Sequence, residues 1–139
     1  MDLAMAATVR FKDIQEALSC IRGIGDSSFR REVCGFVGFD TDTNEYLVKE
    51  EENVSPDPSN YFLINPLNYL LFKDKYSMVA VFHSHIVGDE NESEFDVKMA
   101  DNCCQAFLIY SLNTKKINIY SPKYVEGDVN ILERFKEIV

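Results

Sequence analysis

The chain has 139 residues, 46% hydrophobic and 27% charged, the composition of an ordinary globular domain built around one core. A net charge of −9 leaves no basic face for phosphate contacts, so nucleic acid is not an expected partner. No apolar run reaches the ~18–20 residues that span a bilayer, and Met1–Thr8 lacks the basic start and long apolar core of a signal peptide, so the expectation is a cytoplasmic protein without a membrane partner.

Apolar residues at Phe11, Ile14, Ala17, Leu18 and Ile21 recur at helical spacing, which predicts a helix from about 10 to 24, ended by Gly23 and Gly25. Val33–Phe39 is a compact apolar run and reads as a buried strand. The turn-rich 40–44 and the segment 45–48 make it one arm of a hairpin. Glu50–Glu52 reads as a solvated acidic edge, and 53–60, with Pro56 and Pro58, as a loop. A short strand is expected at Tyr61–Ile64. Asn65-Pro66 then starts a helix to Lys73 or Lys75, with Leu67, Leu70 and Leu71 inward.

Met78–Phe82 reads as a second buried strand that leads directly into His83. A loop over 86–92 is followed by a helix from Ser93 to about Asn102. Residues 106–112 and 117–120 form a further hairpin, and a last helix covers about 129–138. Strands joined partly by tight turns and partly through helices predict an α/β (α+β) fold, a mixed central sheet flanked by helices. The whole chain, 1–139, is expected to form one domain. Cys20, Cys34, Cys103 and Cys104 match no zinc-ribbon or redox spacing and read as small buried hydrophobes in a reducing cytosol; Cys34 as a nucleophile is the alternative.

Both histidines of the chain fall in His83-Ser84-His85, and after seven residues comes Ser93-Glu94-Phe95-Asp96. In a strand, i and i+2 share a face, so the two imidazoles project side by side while Ser84 points away. Two imidazoles and one carboxylate make a three-ligand set that leaves zinc an open position, the mark of a catalytic rather than a structural site. Each element also has a plainer reading: a half-buried histidine pair at a strand end, and a helix-capping box in Ser93 and Asp96. The readings are compatible, because a carboxylate has two oxygens. Glu32, just before the buried Val33–Phe39 strand, is the best-placed general base among 23 acidic residues, and a solvated strand-end glutamate is its plain alternative. Ser93 could donate a hydroxyl to a developing oxyanion.

Glu32, His83-Ser84-His85, Ser93 and Asp96 together resemble the JAMM signature of the JAB/MPN zinc metalloproteases. Glu32-Val33-Cys34-Gly35-Phe36, Asn53 and Phe62-Leu63-Ile64-Asn65-Pro66 extend the resemblance, which covers about residues 9–122 and is strongest to the small prokaryotic and phage-tail branch. The resemblance implies a layout similar to cytidine deaminases. It implies one Zn2+ held by His83, His85 and Asp96 with water as fourth ligand, Glu32 as general base and Ser93 as oxyanion stabiliser. The implied reaction is hydrolysis of the peptide or isopeptide bond after the C-terminus of a ubiquitin-like protein. The partners would be that protein or its conjugates, with activating and conjugating enzymes of a bacterial ubiquitin-like conjugation or anti-phage operon. Ile86 and Glu92 stand where the family usually has proline, so loop shape and substrate choice depart from the pattern. The cell-wall peptidase domain that many phage-tail relatives carry is not expected here, and without a long insertion to grip a second ubiquitin, linkage-specific cleavage of a polyubiquitin chain is not expected either. A phage-tail assembly protease and a non-catalytic scaffold are the competing readings. A zinc deaminase is excluded, because its His-x-Glu and Pro-Cys-x-x-Cys patterns are missing.

Overall fold

The computed structural model describes residues 7–139, so most of the Met1–Thr8 stretch lies outside the described residues. The elements run β1 (Val9–Phe11), α1 (Ile14–Asp26), β2 (Cys34–Asp40), β3 (Glu45–Glu51), α2 (Pro66–Lys75), β4 (Ser77–His85), α3 (Glu94–Cys103), β5 (Phe107–Ser111), β6 (Ile117–Tyr120) and α4 (Val129–Ile138). The six strands form one mixed sheet in the order β1-β3-β2-β4-β5-β6. Among the described strands only β4 and β5 pair in parallel, and α3 supplies the crossover that parallel neighbours need.

The sheet is buried on both faces, which is why β2 and β4 read as continuous apolar runs rather than alternating ones. On one face Val37, Phe39, Ala80, Phe82 and Leu108 pack against α1 and α4. On the other, Phe36, Val81, Phe107 and Ile109 pack against Phe72 of α2 and Ala100 of α3. The register slips between Val37 and Gly38, so that Val37 faces Ala80 and Gly38 faces Met78. This bulge leaves Val79 unpaired. At its other end β4 runs past the predicted end at Phe82, because β5 pairs with it as far as His85, so both histidines lie inside the sheet.

Several expectations are corrected. Phe11 belongs to β1, paired with Tyr46 of β3, and the helix begins only at Ile14, because the Asp13 side chain accepts the Gln15 N–H and caps it there. Gly23 and Gly25 lie inside α1 rather than ending it. Gly25 is buried where a side chain would run into the ring of Tyr110, so its small size serves packing. Glu51 is not solvated. It is 1% exposed, paired with Lys49 and accepting from Asn68 Nδ2 at 2.9 Å.

Residues 61–64 form no strand. Val54 N–H donates to Leu63 O at 2.9 Å, and side-chain bonds supply the rest of the order there. Leu67, Leu70 and Leu71 point outward, 59–61% exposed, and Phe72 is the buried residue of α2. Of the cysteines only Cys34 is buried; the other three are half-buried, and all four are free. The predicted hairpins, α3 with its capping box, and α4 appear as expected.

Candidate metal centre

Strand β4 delivers His83 and His85, and α3 delivers Asp96 at its first turn. The Ser93 Oγ accepts the Asp96 N–H at 3.1 Å, and Asp96 Oδ2 accepts the Ser93 N–H at 3.0 Å. The capping box that competes with the ligand reading thus orients the candidate ligand: it aims the Asp96 carboxylate back at the end of β4. Asp96 Oδ1 lies 2.9 Å from His83 Nε2, and Oδ2 lies 2.9 Å from His85 Nε2. One potential ligand atom from each residue falls within 4.8 Å of the others, and all three residues are buried.

The donor chemistry fits a cation. His85 Nδ1 lies 2.8 Å from the Asp89 carbonyl, which can only accept, so Nδ1 carries the proton. In the neutral ring Nε2 is then a lone pair facing a carboxylate, an arrangement that needs a positive charge between them. Without a metal, a proton serves. Burial lowers the His85 pKa, but Asp96, the Asp89 carbonyl and Glu32 offset this and leave it raised.

His83 is fully buried, and burial pushes its pKa down, so its ring stays neutral. Asp96, 2.9 Å from Nε2, pulls the other way without overcoming burial, and Nδ1 has no hydrogen-bond partner. Aromatic packing holds the ring instead: Phe62 stacks on it at 4.4 Å and Phe107 meets it edge-on at 5.4 Å. For Asp96, burial acts upward, yet the two histidines and the Ser93 N–H win and hold the carboxyl far below its usual range.

Glu32 reaches the site through the sheet register. Cys34 pairs with His83, and beyond it Ser84 N–H donates to Val33 O at 3.0 Å while Ser84 Oγ accepts Val33 N–H at 2.9 Å. Ser84 therefore points away from the histidines, as expected, and ties Glu32-Val33 to the end of β4. Glu32 lines a cleft of about 260 Å3 together with His85, Ser93, Ser59, Asn60 and Asp89. Only 6% of Glu32 is exposed. Burial raises its pKa from 4.5 to about 8; His85 opposes the shift and Asp96 adds to it. A roomier groove of about 450 Å3, between Lys73, Gln105 and Asp128, lies apart from these groups.

The structure thus gathers every site residue expected from sequence: Glu32, His83, His85, Ser93 and Asp96. Ser93 is exposed at the cleft, its Oγ already accepting from Asp96 N–H. Cys34 is no nucleophile, because burial followed by the nearby glutamates drives its thiol pKa far up. Phe62 and Phe107, which orient His83, were not expected as site residues; no local pattern distinguishes them from ordinary core aromatics. The 86–92 loop, where the prolines are missing, is pinned instead by Gly88 O, which accepts from Ser111 Oγ at 2.9 Å and Asn113 Nδ2 at 3.0 Å.

No protein-family profile matches the chain. It is 26% identical over 120 residues to tail tip assembly protein K of Escherichia phage N15, a match that takes in 86% of this chain and 47% of that protein. The chain thus spans about half the length of this curated relative. Among solved structures it is similar to that of protein DSY2949 from Desulfitobacterium hafniense, with a TM-score of 0.58, 22% identity, and 82% and 86% of the two chains covered. The second likeness supports the fold; the first links the chain at a distance to a protein of phage tail assembly.

Proposed function

We propose that this chain is a zinc-dependent hydrolase of peptide or isopeptide bonds, of the JAB/MPN type whose signature it resembles. One observation supports this above others: His83, His85 and Asp96 converge three ligand atoms within 4.8 Å at the edge of the cleft that Glu32 lines. Bound there, zinc would acidify a water and polarise the scissile carbonyl. Glu32 holds the proton that the attacking water loses at its carboxylate and passes it to the leaving amine. A dication beside it opposes the effect of burial and brings the carboxylate into use near neutral pH. Ser93, with its backbone held by Asp96, offers its hydroxyl to the oxyanion.

The likeness to tail tip assembly protein K favours a phage-tail component as substrate. Cleavage after a ubiquitin-like protein, beside activating and conjugating enzymes, rests on the motif resemblance alone. The test is to incubate the zinc-loaded chain with two panels: phage tail-tip proteins, and C-terminal fusions of ubiquitin and bacterial ubiquitin-like proteins. Glu32→Ala with zinc retained is the control. Cleavage that disappears in the control supports the hydrolase and identifies the substrate class. Intact substrates in both panels, with zinc bound, would sink it.

A further inference from the structure

Glu32 has no helix or strand of its own; β2 starts at Cys34. What holds its backbone is the 53–63 loop, and that loop is organised around one side chain. Asn53 is 5% exposed, and its amide is saturated. Nδ2 donates towards three carbonyls, Glu32 O at 2.9 Å, Tyr61 O at 3.2 Å and Pro58 O at 3.4 Å. Oδ1 accepts the N–H groups of Ser55 at 3.0 Å and Leu63 at 3.2 Å. The orientation of the amide follows from this network, since a flipped amide would set donors against donors. The other backbone group of Glu32 is held by the same loop: its N–H donates to Pro58 O at 2.7 Å.

We infer that Asn53 is the positioning residue of Glu32, fixing the general base through its carbonyl while shaping the cleft wall that carries Ser59 and Asn60. The inference rests on the hydrolase reading above. Only an amide of this length suits the position. Aspartate has no donor for Glu32, and serine can reproduce the local bond to Ser55 but is too short to span the loop. Asn53 touches no reacting atom. Its effect is on where the base sits, and a displacement of about 1 Å in such a group costs on the order of 100-fold in rate.

The test uses the full chain loaded with cobalt(II), which accepts the same nitrogen and oxygen donors and whose visible absorption responds to protonation at the site. The pH midpoint of that absorption is followed in wild type, Glu32→Gln, Asn53→Ala and Asn53→Ser. Ser55→Ala serves as a loop control: it removes the Oγ that accepts Asp57 N–H at 3.0 Å but does not touch Glu32. The expected result is a midpoint shifted by about 0.5 pH unit or more in both Asn53 variants, in the direction of Glu32→Gln. Cobalt affinity should stay within about threefold, well short of the loss that follows from disturbing a ligand's own partner. Ser55→Ala should leave the midpoint in place.

A shift in Glu32→Gln with none in the Asn53 variants overturns the inference and leaves the hydrolase reading standing. Absence of cobalt binding, or no shift in Glu32→Gln, removes the hydrolase reading itself. Loss of the fold in both Asn53 variants makes Asn53 a folding residue and also overturns the inference.

Discussion

The β4–α3 corner and helix α2 lie against the same face of the sheet, yet they relate to their sequences in opposite ways. In the corner, a two-residue spacing on a strand and a capping box on a helix each dictate one direction for each side chain. His83, His85 and Asp96 accordingly meet at 2.9 Å contacts. Helix α2 is apolar nearly all round, with Leu67, Tyr69, Leu70, Leu71 and Phe72. Its inward face is chosen by the aromatic contacts of Phe72, which packs on Phe36 at 5.0 Å and on Tyr76 at 5.2 Å. The leucines are left outside. Periodicity is informative where one face is polar, and silent where both faces are apolar.

The comparison can be broken most directly at the corner. His83→Ala, His85→Ala and Asp96→Ala should each lower zinc affinity by more than the about 10–100-fold that follows loss of an outer partner, read by competition with a chelating dye. Retained affinity in any of the three would separate that residue from the metal. On α2, Phe72→Ala should cost about 3–5 kcal/mol in denaturant unfolding, because it leaves a cavity against Phe36 and Gly38.

A pH experiment on the metal-free chain addresses the cleft. The pKa of Glu32 rises from 4.5 to about 8 on folding. Across that window the native state binds more protons than the unfolded one, so stability falls as pH rises. Glu32→Gln should therefore melt higher than wild type near pH 8, with the gap closing by about pH 5. A gap that widens towards acid would mean that Glu32 is charged in the fold. The smallest effect belongs to the outer leucines: Leu70→Gln or Leu71→Gln should change stability by no more than about 0.5 kcal/mol. A cost like that of Phe72→Ala would show the helix turned the other way.

Much of the fold was legible because its signals are local. β2 and β4 are continuous apolar runs, α3 begins at a serine with an acid three residues on, and the β5–β6 hairpin is set by a polar turn. The misses occurred where local propensity met a partner it could not foresee. Phe11 fits the helical period of α1, but β3 offers it a strand partner and Asp13 caps the helix behind it. Glu51 looks solvated until Lys49 and Asn68 surround it. Residues 61–64 look like a strand, but their order comes from Asn53 rather than a ladder.

By itself the sequence determined which donor groups the site offers. The residue types and the spacing from His83 to Asp96 are covalent facts, and strand and helix geometry convert them into directions. Only the tertiary structure decided how far apart these groups end, how deeply Glu32 is buried, and which neighbours restrain each ring. Phe62 and Phe107 reach His83 from separate segments, and Asn53 reaches Glu32 across 21 positions of chain. Such contacts arise from the packing of whole elements, and no local spacing encodes them.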